Sequence, residues 1–418
     1  VIVVRSGKVL TSSGWRYADV LIEAGSVREI GRGLRAETVI EASGCLVGPG
    51  FVDMHTHLRE PGETWKEDIS SASIAAVRGG YTAIVAMPNT VPPADSPKVT
   101  GLVVQTSRKV GMVDVIPAGA LTVGRAGTTP VDIQAMYDSG VRMFTDDGDS
   151  VADNAVLREL MTRARSLDGA VIAQHAEDES MTDGGHMHEG ELSRRLGVGG
   201  LPVEAETSVI ERDLDLIRET GANYHCQHVS SKMAVELIRD AKAEGLPITA
   251  EVTPHHLSFD VSAVESLNTN FKMYPPLRTP EDREALVSAL SNGTIDVVAT
   301  DHAPHGETEK AVPFPDAPRG VIGLETAASA AWEALGNETR LFQAMSIAPA
   351  HIMGLASHGQ PVAPGTRANL VVFDPNARWV ADGFASKSAN SPYLGAEMKG
   401  RVMATIHDGE VVLRVGER

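Results

Sequence analysis

Eight short apolar runs rich in β-branched residues, each followed by a helix-length segment, recur between positions 51 and 336, and no other feature restricts the fold as much. The runs are Phe51–His57, Thr82–Pro88, Val113–Leu121, Val141–Asp147, Ala170–Glu177, Asn223–Val229, Pro247–Leu257 and Ile295–His302. The segments between them close near Gly79, Gly111, Gly140, Gly169, Gly221, Gly245 and Gly293, and a last one, Gly323–Leu335, ends at Gly336. Glycine favours the position just past a helix because it enters the left-handed region without steric cost. Thr279–Pro280 adds an N-cap and a first-turn proline to one of these segments. Parallel strands need long crossovers, so eight such units predict a (β/α)8 barrel of the TIM type. An open doubly wound sheet is the competing arrangement. It would carry a glycine-rich nucleotide loop after its first strand, where this chain reads Asp53-Met-His-Thr-His-Leu-Arg-Glu60 with no GxGxxG.

The two ends have another texture. Val1–Arg5, Lys8–Thr11, Tyr17–Glu23, Ser26–Gly31 and Glu37–Glu41 read as short strands, as do Asn369–Asp374, Arg401–His407 and Glu410–Arg414. Neither stretch can bury a core alone, so the ends are predicted to pair as one small discontinuous β-sandwich domain, residues 1–50 and 360–418, with the barrel at 51–359 between them. The proline-rich Val312–Pro318 reads as a surface loop placed to act as a lid.

Composition narrows the partners. Lys and Arg number 37 against 55 Asp and Glu, a net charge of −18, and aromatic residues are only 4% of the chain. Such a surface repels phosphate backbones and offers few rings for base stacking, which argues against nucleic acid. Two cysteines cannot build a disulfide framework, which fits a reducing cytoplasm. No apolar run approaches the roughly 18 residues of a membrane span, and the first residues lack a signal-peptide layout.

In barrels of this kind the chemistry sits at the C-terminal ends of the strands. Those ends carry His55 and His57, Asp146 and Asp147, His175, His228, and Asp301 with His302. Residues two apart on a strand face the same side, about 6.6–7 Å apart, so His55 and His57 can converge on one cation. Any one histidine alone reads as structural; four histidines and two aspartates on the strand ends of one barrel read as a metal centre. His186-Met-His188 has the same spacing but lies in a glycine-rich polar stretch and is predicted to be a solvated loop with no strand under it. His255 and His256 follow the seventh strand and are open between supporting the centre by hydrogen bonds and simple packing. Six ligands exceed the three or four that one zinc takes, which favours two metals and an anionic bridge between them. The chain has no lysine between Lys109 and Lys232 that could be carbamylated as that bridge. Asp147 or Asp146 can serve, and strand alternation does not choose between them.

Gly50–Ile69, Ala86–Pro93 (AMPNTVPP), Phe144–Gly148 (FTDDG), Gln174–Asp178, Cys226–Ser231, Ala250–Leu257 and Ala299–His305 (ATDHAPH), with Gly323–Ala327 and Ala368–Pro375, span nearly the whole chain. Together they resemble the metal-dependent amidohydrolases, and within them the dihydroorotases whose bridging ligand is aspartate. The resemblance implies zinc, with two ions per chain. It places His55, His57, Asp147 and Asp301 around one and Asp147, His175 and His228 around the other. It assigns Arg59, Asn89 and His305 to the substrate and Asp301 to proton transfer. The reaction implied is reversible hydrolysis of (S)-dihydroorotate to N-carbamoyl-L-aspartate in pyrimidine biosynthesis, by hydroxide that the metal generates from water. A planar Arg59 fork suits a carboxylate, though pairing with Glu60 or Asp68 is its structural alternative.

This chain departs from the family pattern at two places near the substrate. Tyr274 stands where asparagine is usual before Pro-Pro-Leu-Arg, and Arg319-Gly320 replaces the usual Phe-Gly. Tyr274, Arg319 and Gly320 are therefore candidate substrate-binding residues that bear on the ring accepted. The nearest alternative is a hydantoinase- or dihydropyrimidinase-like enzyme acting on another ring; a further one is a non-catalytic scaffolding subunit. A homo-oligomer is a candidate assembly that the sequence does not decide, and the scaffolding alternative would set the chain beside aspartate transcarbamoylase, as in some relatives of the family.

Overall fold

The structure, a computed structural model, describes residues 1–416. Five strands open the chain: β1 (Ile2–Thr11), β2 (Gly14–Glu23), β3 (Ser26–Gly31), β4 (Thr38–Glu41) and β5 (Leu46–Pro49). The barrel follows with β6 (Phe51–Thr56), β7 (Tyr81–Ala86), β8 (Asp114–Pro117), β9 (Met143–Phe144) and β10 (Val171–Gln174). A short pair outside it, β11 (Met187–His188) and β12 (Gly200–Leu201), precedes its last strands, β13 (Tyr224–Cys226), β14 (Ile248–Val252) and β15 (Val297–Val298). The chain closes with β16 (Leu370–Val380), β17 (Glu397–His407) and β18 (Glu410–Arg414).

Strands from both ends form one sheet in the order β18-β17-β16-β5-β1-β2-β3, with β4 beside β1. The join is β5, parallel to β1 through Val47 and Val9 and antiparallel to β16 through Val47 and Val372. One apolar core serves both halves, holding Val20, Ile22, Val27 and Ile40 together with Leu370, Val372, Ala404 and Ile406. The segments expected at Val1–Arg5 and Lys8–Thr11 are a single strand with a bulge between Val4 and Gly7, where Ser6 adopts φ 63 and its amide donates to Asp19. No strand was expected at β5, because Leu46-Val-Gly-Pro49 is short and contains two strand breakers. Gly48 is needed there: a Cβ would lie 2.4 Å from the Phe342 ring.

The eight barrel strands are parallel in two hydrogen-bonded runs, β6-β7-β8 and β9-β10-β13-β14-β15. Parallel bridges close the ring at both seams, Gly119 with Phe144 and Thr56 with His302. The Thr145 amide donates to the Gly119 carbonyl and the His57 amide to the His302 carbonyl, both at 2.8 Å. The runs read from sequence are longer than the strands, since each polar end leaves the ladder to build the rim. The largest departure is Pro247–Leu257, whose second half is a short helix, Pro254–Ser258, capped by the Thr253 side chain. Gly111, Gly221, Gly293 and Gly336 terminate helices in the left-handed conformation as expected. The helices before Gly140 and Gly169 stop earlier, at Asp138 and Arg165, and the last begins at Ala327 rather than Gly323.

Two loop expectations are corrected. His186-Met-His188 does lie over a strand, because Met187–His188 pairs with Gly200–Leu201 and Met187 is buried in an apolar cluster. Val312–Pro318 is anchored rather than wholly superficial: Phe314 and Ala317 are buried, and Lys272 Nζ donates to the Phe314 and Pro315 carbonyls at 2.7 and 2.8 Å. Among the described residues, no helix is long and apolar enough to cross a membrane.

Candidate metal centre and substrate cavity

Alternation along β6 sends Asp53, His55 and His57 toward the barrel interior. Asp53, the deepest, accepts from the Thr300 amide and hydroxyl at 3.1 and 2.6 Å, tying the first strand to the last. Above it His55 Nδ1 donates to Glu251 Oε1 at 2.6 Å, and His57 Nδ1 donates to Asn89 Oδ1 at 2.8 Å. Each bond leaves the opposite ring nitrogen facing the cavity floor.

Asp147 meets those nitrogens. Its Oδ2 lies 3.2 Å from His55 Nε2 and 3.3 Å from His57 Nε2, and its Oδ1 lies 3.8 Å from His175 Nδ1 and 3.6 Å from His228 Nε2. The two oxygens thus address two different histidine pairs, as a bridging ligand does. Asp146 points elsewhere, accepting from the Leu121 and Thr122 amides at 2.8 and 3.1 Å and from the Thr122 hydroxyl. Asp301 Oδ1 is 2.9 Å from His57 Nε2 and 3.4 Å from His55 Nε2. Among the described residues, two groups that could hold a metal ion result, His55–His57–Asp147 and Asp147–His175–His228.

The residues fit a cation on physical grounds. Among the described residues, His55 Nε2 and Asp147 Oδ1 are buried with no hydrogen-bond partner, a costly condition unless something charged or polar joins them. Burial pushes the Asp147 carboxyl up, but His55, His228 and His57 outweigh it and hold it well below the usual carboxylate range. Burial alone would make His55 neutral, yet Asp147, Glu251 and Asp301 together pull a proton onto it. Three carboxylates around one imidazole therefore demand positive charge. Burial, reinforced by His228, lowers His175 to about 3 and keeps it neutral, the form that binds metal.

A cavity of about 220 Å³ opens above this floor, lined by His57, Asp147, His175, His228 and Asp301 below and by Arg59, Asn89, Tyr274, His305, Arg319 and Gly320 on its walls. All six expected metal-site residues are thus brought together, His55 lying buried just beneath, and all six expected substrate residues line the same space. Arg59 is buried, its Nε donating to the Pro304 carbonyl at 3.2 Å, and its NH2 is 3.5 Å from His305 Nε2. The alternative pairing does not form: Glu60 accepts from the Ile69 amide, and Asp68 caps a helix and pairs with Lys387. His305 Nε2 donates to the Arg319 carbonyl at 2.8 Å. Gly320 has φ 127, and a Cβ there would lie 2.7 Å from that of Ala303. Arg59, His228 and Asp301 take positive φ values of 59, 31 and 46, strained positions of the kind that gather at functional sites.

His302 lies outside this group, 3.2 Å from Glu67. His256 is structural, sharing a proton with Thr253 and donating to the Pro275 carbonyl. Glu251 escaped the sequence reading, yet it holds His55, His225 Nε2 at 3.0 Å and the His228 amide at 3.2 Å. A lone carboxylate inside the apolar strand Ile248–Val252 was its signal.

The comparisons with known proteins agree with this geometry. Residues 44–234 match the family model described as dihydro-orotase-like. The dihydroorotase of Mycobacterium leprae (strain TN) is 45% identical over 408 residues, covering 95% of each chain. That of Streptomyces coelicolor is 43% identical and covers 99% of this chain and 98% of its own. Among solved structures, the L-hydantoinase (dihydropyrimidinase) of Arthrobacter aurescens superposes with a TM-score of 0.88 at 27% identity, over 100% of this chain and 96% of its own. A D-hydantoinase from Thermus sp. shares the fold at a TM-score of 0.83 and 24% identity, covering 100% of this chain and 96% of its own. With such identity held from end to end, this TIM-barrel chain belongs to the dihydroorotases, hydrolases of cyclic amides in pyrimidine synthesis.

Proposed function

We propose that the chain hydrolyses (S)-dihydroorotate reversibly to N-carbamoyl-L-aspartate at a two-zinc centre. The observation that carries this reading is Asp147, whose two oxygens face separate histidine pairs at the floor of a cavity walled by an arginine that has no acid partner among the described residues. His55, His57, Asp301 and Asp147 would hold one ion, and Asp147, His175 and His228 the other. Bound zinc acidifies water and polarises an amide carbonyl.

The remaining work falls to side chains. Arg59 presents a planar fork to the ring's exocyclic carboxylate, and Asn89 and His305 complete that grip. Asn89 also orients His57, so substrate and ligand positions are coupled through one amide. Asp301 accepts the proton released as water oxygen bonds to the ring carbonyl carbon. It returns that proton to the ring nitrogen as the C–N bond breaks. Asp301 Oδ1 lies 2.9 Å from His57 Nε2, on the side of the ion that both residues would hold, which would leave Oδ2 for the proton.

The paired sheet strands support a division into a β domain of residues 1–50 and 360–418 and a barrel of 51–359. Turnover of dihydroorotate by zinc-loaded protein at several pH values tests the activity, and no turnover defeats it. A hydantoinase-like preference for rings without a carboxylate would leave Arg59 unused, so a panel of rings with and without that group separates the two readings. Metal analysis of protein purified without chelator excludes or establishes a non-catalytic scaffold.

A further inference from the structure

One wall of the cavity is held from outside the barrel. The connection between β16 and β17, residues 381–396, leaves the terminal sheet and binds two rim loops in turn. The first is the loop after β6, which carries Arg59: Lys387 Nζ donates to the Thr64 carbonyl and Ser388 Oγ to the Lys66 carbonyl, both at 2.8 Å. The second is the loop after β15, which carries His305, Arg319 and Gly320. There Asn390 Oδ1 accepts from the His305 amide at 3.3 Å, and its Nδ2 donates to the Ala303 and Gly320 carbonyls, both at 3.1 Å. The Asn390 carbonyl accepts from the Ile322 amide at 3.1 Å.

A primary amide offers two donors and an acceptor in one plane. Asn390 is buried and uses all three on a single loop, beside His305 at one end and at Gly320 at the other. Gly320, with φ 127, is fixed on its remaining sides as well: its amide donates to the Lys272 carbonyl and its carbonyl accepts from Lys310 Nζ, both at 2.9 Å. Between these anchors His305 Nε2 donates to the carbonyl of Arg319, whose guanidinium lies 4.1 Å over the Tyr274 ring. His305, Arg319, Gly320 and Tyr274 line the cavity, and Asn390 stands behind them without reaching it.

Resting on the reading of Arg59 and His305 as the substrate's grip, we infer that Asn390 is a positioning residue for substrate binding, through which the terminal sheet sets the spacing of His305 and Gly320. Aspartate in its place would keep the shape and turn a carboxylate oxygen toward two carbonyl oxygens. Both carbonyls would lose a donor and be repelled, so the wall would shift. Binding groups must be held to a fraction of an ångström by the residues behind them, and such a shift weakens the grip. The floor is held by other partners, Glu251 on His55 and Asn89 on His57, so metal binding and the chemical step should be spared.

The test compares zinc-loaded wild type, N390D and N390A with Y393F, a control on the same connection. Y393F loses the bond from the Tyr393 hydroxyl to Ser258 Oγ at 2.9 Å, and neither residue lines the cavity. In N390D, KM for dihydroorotate should rise about tenfold while kcat falls less than about threefold, with zinc content unchanged. N390A removes the bonds without the repulsion and should fall between N390D and wild type; it carries the comparison should N390D fail to fold. Y393F should leave KM within about twofold. An unchanged KM in both Asn390 variants, a kcat loss as large as the KM rise, or an equal KM rise in Y393F would overturn the inference. Calorimetric affinity for N-carbamoyl-L-aspartate at pH 8 reads the same grip without turnover and should fall in the same order. Wild type that binds this ligand without turning over dihydroorotate sinks the activity and leaves the Asn390 comparison standing. Turnover with a KM indifferent to Asn390 sinks this inference alone, and neither binding nor turnover sinks both.

Discussion

Glu251 Oε1 lies 2.6 Å from Nδ1 of His55, and the same carboxylate reaches His225 and the His228 amide. One buried acid therefore sets the orientation of ligand candidates from two strands. Burial pushes its pKa up, but His55 and His225 outweigh it and bring it down to about 2, so it stays ionised. Glu251→Gln keeps the shape and removes the charge. Zinc affinity should fall by about tenfold to a hundredfold, measured by competition with a chromophoric chelator; unchanged affinity would show that the contact only packs.

Asp301 should carry the proton. Asp301→Asn retains the volume but cannot accept a proton as a carboxylate does, so turnover should drop by about a hundredfold to ten-thousandfold. The circular dichroism spectrum should remain that of the wild type. Near-normal turnover would assign proton transfer to another group.

Arg59 should act through geometry as well as charge. In Arg59→Lys the charge survives and the fork does not, so KM for dihydroorotate should rise about tenfold with a smaller effect on kcat. An unchanged KM would mean that Arg59 serves the Pro304 loop alone.

Lys310 gives a pH signature of folding rather than catalysis. Its ammonium donates to the Lys272, Pro318 and Gly320 carbonyls, and burial, with Lys272 beside it, lowers its pKa from 10.5 to about 7. Between those values the unfolded chain binds more protons than the folded one. Lys310 therefore makes stability rise with pH from about 7 toward 10.5. In Lys310→Met the urea midpoint should vary less steeply with pH over that window, and identical slopes would remove Lys310 as the cause.

Much of this architecture is legible in the sequence for a physical reason. The barrel's period is written in alternating strand and helix runs, and its chemistry must stand where strands meet loops, so His55, His57, His175, His228 and Asp301 stand out. Asp147 could not be told from Asp146 by alternation, because the strand beneath them is only Met143–Phe144 and the choice is made by Leu121 and Thr122, whose amides capture Asp146. Strand lengths and β5 were lost because pairing partners, rather than propensity, define them. Likewise the stack of Arg319 on Tyr274 joins positions 45 residues apart, and neither residue advertises the other.

The join at β5 also bears on how the molecule is made. Leu46–Pro49 finds its antiparallel neighbour, β16, more than 300 positions downstream. Until that late segment is available, β5 presents an open row of amides and carbonyls, a ready template for pairing with another chain. Such distant closure also slows folding, because loop entropy is lost before the contact is won. The small sheet therefore acts as a clasp fastened last, and loss of β16 would expose β5 to association between molecules.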